Sequence, residues 1–253
     1  MALLEVKDIT VRFGGIVALD GLSFDIEKGQ IAGLIGPNGA GKTTMFNVVS
    51  RIYDPTEGSV TYDGENLLAI APHGICRKGV YRTFQNLALW PGMSVIENVM
   101  VGKHSKSKQN FLTSAFRVGL GKEEKDLREA AYAALNEVGL TDVAFHPAQG
   151  LPYGTMKRIE LARALIGEPQ LLMLDEPASG LTHSEVDDLG ELLKTLRDRH
   201  NLTMLLVEHH MAMVMGVSDN VVVLDFGKKI AEGTPKEIQE NPAVIEAYLG
   251  GGI

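Results

Sequence analysis

The chain has 253 residues, 45% of them hydrophobic, a formal charge of −8 and one cysteine, Cys76. That size and apolar content suit one large or two small domains with a full core, and the acidic balance argues against a surface that wraps nucleic acid. A lone cysteine excludes an intrachain disulfide and fits a reducing compartment; residues 1–7 show no secretory-signal pattern, and apolar runs such as 171–174 are far too short to span a bilayer.

In chain order, the first thirty residues alternate as strands do: Leu4, Val6 and Ile9, then Leu22, Phe24 and Ile26, stand among charged neighbours. Residues 30–35 read as a short buried strand, and residues 45–49 as the continuation of a helix. Between them lie Gly36, Pro37, Asn38, Gly39, Ala40, Gly41, Lys42, Thr43 and Thr44, which satisfy the G-x-x-x-x-G-K-[ST] spacing of a phosphate-binding loop. Glycine lets backbone N–H groups line a concave surface with no Cβ in the way, and the helix that follows adds its positive N-terminus. In such a nest Lys42 reaches the β- and γ-phosphate oxygens and Thr43 offers its hydroxyl to Mg²⁺. The alternative is a glycine turn that merely precedes a lysine; the strand before and the helix after argue against it.

Residues 58–62 read as a strand that meets the turn signal Asp63-Gly64, so the early strands suggest a mostly antiparallel sheet around the phosphate-loop unit. From residue 91 to about 150 the apolar residues recur at helical spacing (Val95, Val99; Leu127, Ala131, Leu135, Val138), broken by Gly119, Gly121 and Gly139. This stretch reads as an insertion of three or four helices, with the basic cluster at 103–108 a solvated loop. Strands and helices then alternate as in a parallel α/β core: a helix over 156–166, a buried strand over 170–174, and further strands over 202–207 and 220–224. Thr182-His183-Ser184-Glu185 is a capping box, with Val186, Leu189, Leu192/Leu193 and Leu196 on one helical face. Thr234-Pro235-Lys236-Glu237 caps another helix, and a last one starts after Asn241-Pro242. The organisation is one α/β domain with lobes, residues 1–90 and 160–253 forming the core with its β subdomain and 91–159 the helical subdomain.

Asp175 and Glu176 end an apolar strand, where α/β ligand sites form. Asp175 suits support of a metal, directly or through water, and Glu176 suits polarising the attacking water as general base. His209, at the end of the strand 202–207, suits a hydrogen bond to a γ-phosphate; with no other ligand cluster at suitable spacing, a metal role for the His209-His210 pair is rejected. Gln85 sits between core and insertion, where a neutral amide can reach metal or water and a hinge can move with nucleotide state. Taken alone it reads as an exposed loop residue. Phe13, after the first strand and before Gly14-Gly15, can stack on adenine, although unaided it reads as core.

Together these segments resemble the nucleotide-binding subunit of ATP-binding-cassette (ABC) transporters over essentially the whole chain. The resemblance implies a P-loop NTPase (RecA-like) core with an antiparallel β subdomain and an inserted helical subdomain. It implies a head-to-tail dimer, each ATP lying between one subunit's phosphate loop and the other's signature motif. It assigns Phe13 to adenine stacking, Gln85 to a lid that contacts Mg²⁺ and links to the membrane partner, and Asp175 and Glu176 to the Walker B aspartate and catalytic glutamate. His209 becomes the switch histidine, and Ser179-Gly180-Leu181-Thr182 the dimer-contact loop. Cofactors implied are ATP and Mg²⁺, with Thr43, Gln85 and Asp175 toward the metal.

The signature departs from the family's LSGGQ: here it is Leu151, Pro152, Tyr153, Gly154 and Thr155. Pro152 replaces a serine, removing a hydroxyl and a backbone N–H, which points to a weaker site than the consensus one. Tyr153-Gly154, Arg82-Thr83-Phe84-Gln85, residues 94–99 and the ending 241–250 are similar to importers of branched-chain amino acids and of related urea and short-chain amide systems. Those use two different ATPase subunits, and residues 110–124 look like the insertion of the longer one. The partners so implied are transmembrane permeases, a second ATPase subunit and, indirectly, a solute-binding protein, with no nucleic acid. The location implied is cytoplasmic, peripheral on the inner face of the membrane through the permeases. His210 stands where an aspartate is common and receives no role. The competing readings are an exporter subunit for lipid or lipopolysaccharide, a soluble non-transport ABC ATPase, and a catalytically weak cassette that mainly holds a partner.

Overall fold

The computed structural model describes residues 2–83, 87–106 and 120–249. Its helices, in chain order, are α1 (Lys42–Val49), α2 (Val95–Met100), α3 (Leu120–Glu137), α4 (Tyr153–Leu165), α5 (His183–His200), α6 (Met211–Val217), α7 (Pro235–Gln239) and α8 (Pro242–Leu249). Two compact units emerge, one of residues 1–82 with 170–253 and one of residues 83–169.

The first unit holds two sheets. In the smaller, β1 (Ala2–Phe13), β2 (Ile16–Glu27), β4 (Glu57–Tyr62) and β5 (Glu65–Asn66) pair antiparallel in the order β2-β1-β4-β5. The inward set along β1 changes parity, from Leu4 and Val6 to Ile9 and Val11, because a bulge interrupts the register between Val6 and Ile9. Asp8 carries the bulge at φ 50°, and the neighbouring Gly58 has room for no Cβ against the Lys7 and Asp8 carbonyls. Asp63 (φ 47°) and Gly64 (φ 80°) make the tight β4–β5 turn of the type I′ class.

In the larger sheet the order is β10-β9-β3-β8-β7-β6, with β3 (Ile31–Ile35), β6 (Val80–Arg82), β7 (Leu171–Asp175), β8 (Thr203–Val207), β9 (Asn220–Asp225) and β10 (Lys228–Gly233). All its pairs are parallel except β9–β10. Every residue of β3, β7 and β8 is buried, which is why these strands are near-continuous apolar runs rather than alternating ones, with Thr203 and Asp175 polar only at their ends. The order places the C-terminal ends of β3, β8 and β7 side by side, and these ends carry the phosphate loop, Glu208–His210 and Asp175–Glu176. Both expected capping boxes form: Thr182 with Glu185 at the start of α5, and Thr234 with Glu237 at the start of α7.

In the second unit, α2, α3 and α4 pack together. The fully buried Asn98 side chain accepts from Trp90 N–H (2.8 Å) and donates to the Ser94 carbonyl (3.0 Å). Arg163 of α4 donates to the Ala88 carbonyl (2.5 Å) and lies over the Trp90 ring. These contacts lie within the second unit, which takes in residues 88–90 and the whole of α4. Helix α4 starts at Tyr153, three residues ahead of the expected 156, because the Pro152 carbonyl accepts from Met156 N–H (3.0 Å). At 103–106 the chain forms a 3₁₀ segment with an ion pair from Lys103 to Glu168 (2.8 Å).

Candidate nucleotide site

The phosphate loop leaves β3 at Gly36 and closes on α1, with Ala40 N–H donating to the Pro37 carbonyl (3.2 Å). Its glycines answer to what lies behind the loop. At Gly36 (φ 151°) a Cβ would collide with the Leu224 carbonyl of β9, and at Gly41 (φ 103°) with the Ala18 carbonyl and the Leu19 side chain of β2. Packed so closely at the back, the loop presents its front, Asn38 and Gly39, to solvent. Gly41 in the left-handed region is the N-cap of α1 and provides no side-chain cap, nor is there an acidic residue in the first turn. The first-turn amides therefore suit an external anion.

Lys42 is buried and donates to the Gly36 (2.7 Å) and Pro37 (2.9 Å) carbonyls. Burial lowers its pKa, and the negative charge of Glu176 partly offsets that. The Lys42 ammonium and the Glu176 carboxylate thus belong to one electrostatic neighbourhood. Thr43 is exposed at the start of α1, with Thr44 partly covered beside it. Asp175 is buried at the end of β7, and its Oδ2 accepts from Arg82 at 2.6 Å. A buried carboxylate and an exposed threonine hydroxyl are hard oxygen donors that fit Mg²⁺.

Glu176 takes a backbone conformation unusual for its type, φ 46°. The strain, about 1–3 kcal/mol for such residues, is held by Glu176 N–H to the Val207 carbonyl (2.8 Å) and Ser179 N–H to the Glu176 carbonyl (3.1 Å). His209 Nδ1 lies 3.8 Å from Glu176 Oε1, the imidazole largely exposed. The edge formed by β3, β8 and β7 therefore brings together a phosphate nest, a cation, two carboxylates and an imidazole, the components that a phosphoryl transfer to water requires. Phe13 stands at 45% exposure at the end of β1, edge-on to Tyr53 with ring centroids 5.1 Å apart. Its open surface is available for stacking, which the core reading of Phe13 would not leave. Gln85 lies outside the described residues, as do residues 110–119 of the expected insertion.

Among the signature residues, Leu151, Gly154 and Thr155 are partly covered, and Pro152 and Tyr153 are exposed. Pro152 is the N-cap of α4 (φ −53°, ψ 147°) and makes no capping bond. Lys157 reaches over the Tyr153 ring at 5.7 Å. Because the backbone at 152 already has the extended geometry of a cap, Pro152→Ser is expected to add a capping hydroxyl and to stabilise α4 by about 0.5–2 kcal/mol. The same change is expected to raise ATP turnover of the assembled complex; thermal melts and steady-state ATPase read the two effects separately.

Two residues of the site escape sequence reasoning. Arg82 links Asp175 to α1, donating to Asn47 Oδ1 (2.8 Å) and Ser50 Oγ (3.1 Å). Glu208, 1% exposed, accepts from Ala178 N–H on Oε1 (2.7 Å) and from His209 (2.9 Å) and His210 (3.1 Å) N–H on Oε2. Each stands close in sequence to an expected site residue, Arg82 to Gln85 and Glu208 to His209. The signal that could have found them is a charge at the end of a strand destined for burial.

The ABC transporter family matches residues 19–179, and the branched-chain amino acid ATP-binding cassette transporter family matches residues 228–253. The chain is 46% identical to the high-affinity branched-chain amino acid transport ATP-binding protein BraF of Pseudomonas aeruginosa, with 98% of each chain covered. It is 41% identical to LivG of Escherichia coli K12, the ATP-binding protein of the same kind of transport, again over 98% of each. Among solved structures, an ATP-binding cassette of an ABC transporter in its ADP conformation superposes with a TM-score of 0.87 at 30% identity, covering 99% of both chains. No helix among the described residues is long and apolar enough to cross a membrane. The phosphate loop, the carboxylate-ended strand beside it and these matches across nearly the full length agree: the chain belongs to the ABC transporter family, as one of its ATP-binding subunits.

Proposed function

We propose that this chain is the ATP-hydrolysing subunit of an importer for branched-chain amino acids. It would work as one half of an ATPase dimer on the inner face of the membrane, bound to permease subunits that a solute-binding protein loads. The observation that carries the hydrolytic part is the meeting of Lys42, Asp175, Glu176 and His209 on one sheet edge; the likeness to BraF and LivG supports the transport part.

In this reading the loop amides of residues 36–44 and Lys42 hold the β- and γ-phosphates, and Phe13 covers the adenine. Thr43, Gln85 and Asp175 hold Mg²⁺, which when bound screens the phosphate charge. Glu176 accepts the proton of a water that attacks the γ-phosphorus as the bond to the ADP oxygen breaks, and His209 orients the γ-phosphate beside it. The signature residues Leu151 to Thr155 serve the nucleotide of the partner subunit, whose own signature completes this one.

The test is purification of the tagged chain from membranes, followed by reconstitution in proteoliposomes. Two permeases and a second cassette should accompany it, and leucine uptake should require both ATP and a solute-binding protein. Recovery of a complex that expels lipid, or of no membrane partner at all, would overturn the reading.

A further inference from the structure

Two loops meet at the sheet edge, and one carboxylate ties them together. The loop after β7 runs from Glu176 through Ala178 and Ser179 into the capping Thr182 of α5. The loop after β8 is Glu208-His209-His210, leading into α6. The Glu208 side chain is buried and accepts three backbone N–H bonds, one from Ala178 and two from its own loop. A buried carboxylate is costly unless its lone pairs are filled, and here the filling groups come from both loops at once. A second contact joins the same segments: the His210 ring lies edge-on to His183, the first residue of α5, with centroids 5.9 Å apart. His209 Nδ1 is itself 4.0 Å from Glu208 Oε2.

We propose that Glu208 is a positioning residue that makes the Ala178 loop and the His209 loop move as one body, so that displacement of either is passed to the other. The consequence rests on the function proposed above. The β7 loop holds Glu176 and reaches Ser179-Gly180, the stretch assigned to contact with the partner subunit, whereas His209 faces the γ-phosphate of its own subunit. Through Glu208, the state of one nucleotide is passed to the surface that touches the other half of the dimer. Tight coupling also keeps Glu176 and His209 in step, so that base and γ-phosphate contact are set together.

Glu208→Gln tests this, because the new amide presents an NH₂ where a backbone N–H needs an acceptor and leaves the side-chain volume unchanged. Hydrogen exchange in the full-length variant should rise about tenfold or more at Ala178 and also at His209 and His210, since one loop loses its acceptor, both lose the charge that strengthens their bonds, and coupled loops loosen together. Turnover should fall about tenfold or more with KM for ATP within about twofold, and the loss should shrink in a His209→Ala background, because Glu208 acts through that loop. Glu208→Asp keeps the charge, is one methylene too short to span both loops, and should show the same paired rise in exchange; it serves if the glutamine variant does not fold. Unchanged exchange at Ala178 in a folded variant would overturn the proposal, as would wild-type turnover in both. Exchange is measured without hydrolysis, so a failed ATPase assignment would leave the measured coupling of the two loops standing.

Discussion

Glu176→Gln is expected to lower ATP turnover by about 10²–10⁴-fold, the range that loss of a positioned general base produces, while ATP binding is kept. The amide matches the carboxylate in shape but does not take a proton from water at neutral pH. Binding is spared because the groups proposed to face phosphate, the loop amides and Lys42, are untouched, and removal of a negative charge near Lys42 does not oppose an anion. Turnover in the assembled complex and equilibrium binding of a fluorescent ATP analogue give the two numbers. Turnover within about threefold of wild type would remove Glu176 from the base role. Its backbone supplies an independent check. At φ 46° a residue with a Cβ is strained and glycine is not, so Glu176→Gly should melt no lower than wild type although it is inactive. Strain relieved at the expense of activity is what a functional residue held in that conformation predicts.

Much of this site is legible in the sequence because its requirements are local. A phosphate loop needs glycine at fixed spacing between a strand and a helix, and a strand covered on both faces needs an unbroken apolar run. Residues 36–44 and 171–174 display both directly. The capping boxes at Thr182 and Thr234 are equally open, since each is a bond between residues three apart. Less local features are hidden. The parity change along β1 is a bulge whose cause includes the packing of Gly58 from another strand. The early start of α4 runs against the usual cues, with a proline in the cap and Gly154 in the first turn, positions where propensity argues for delay. Arg82 and Glu208 are hidden most deeply, because their partners lie 93 and 30 residues away. Only the order β3-β8-β7-β6 turns those charged strand ends into braces. The groups suited to meet the nucleotide carry local sequence signals, whereas the bonds of Arg82 and Glu208 to distant segments carry none.

Arg82→Ala is expected to be the most destabilising single change at this edge, by about 3–5 kcal/mol, because it leaves a buried carboxylate without its counter-ion. Both side chains of the Arg82–Asp175 pair are 9% exposed, and the bond is 2.6 Å. The guanidinium also spans to Asn47 and Ser50 at the two ends of its reach along α1, and lies 5.4 Å over the Phe46 ring. One planar fork thus joins β6 and β7 to the helix that ends the phosphate loop. Arg82→Lys keeps the charge but lacks that fork and should fall between wild type and alanine. The informative variant is the double one, Arg82→Ala with Asp175→Asn. If the cost arises from a stranded charge, neutralising Asp175 should recover a large part of it, so the double variant would be more stable than Arg82→Ala alone. If the cost arises from lost packing under Phe46 and α1, the second substitution should recover nothing. Urea denaturation of the four proteins separates the two cases, and a value for Arg82→Ala within about 1 kcal/mol of wild type would show that neither the pair nor the bridge to α1 holds this edge together.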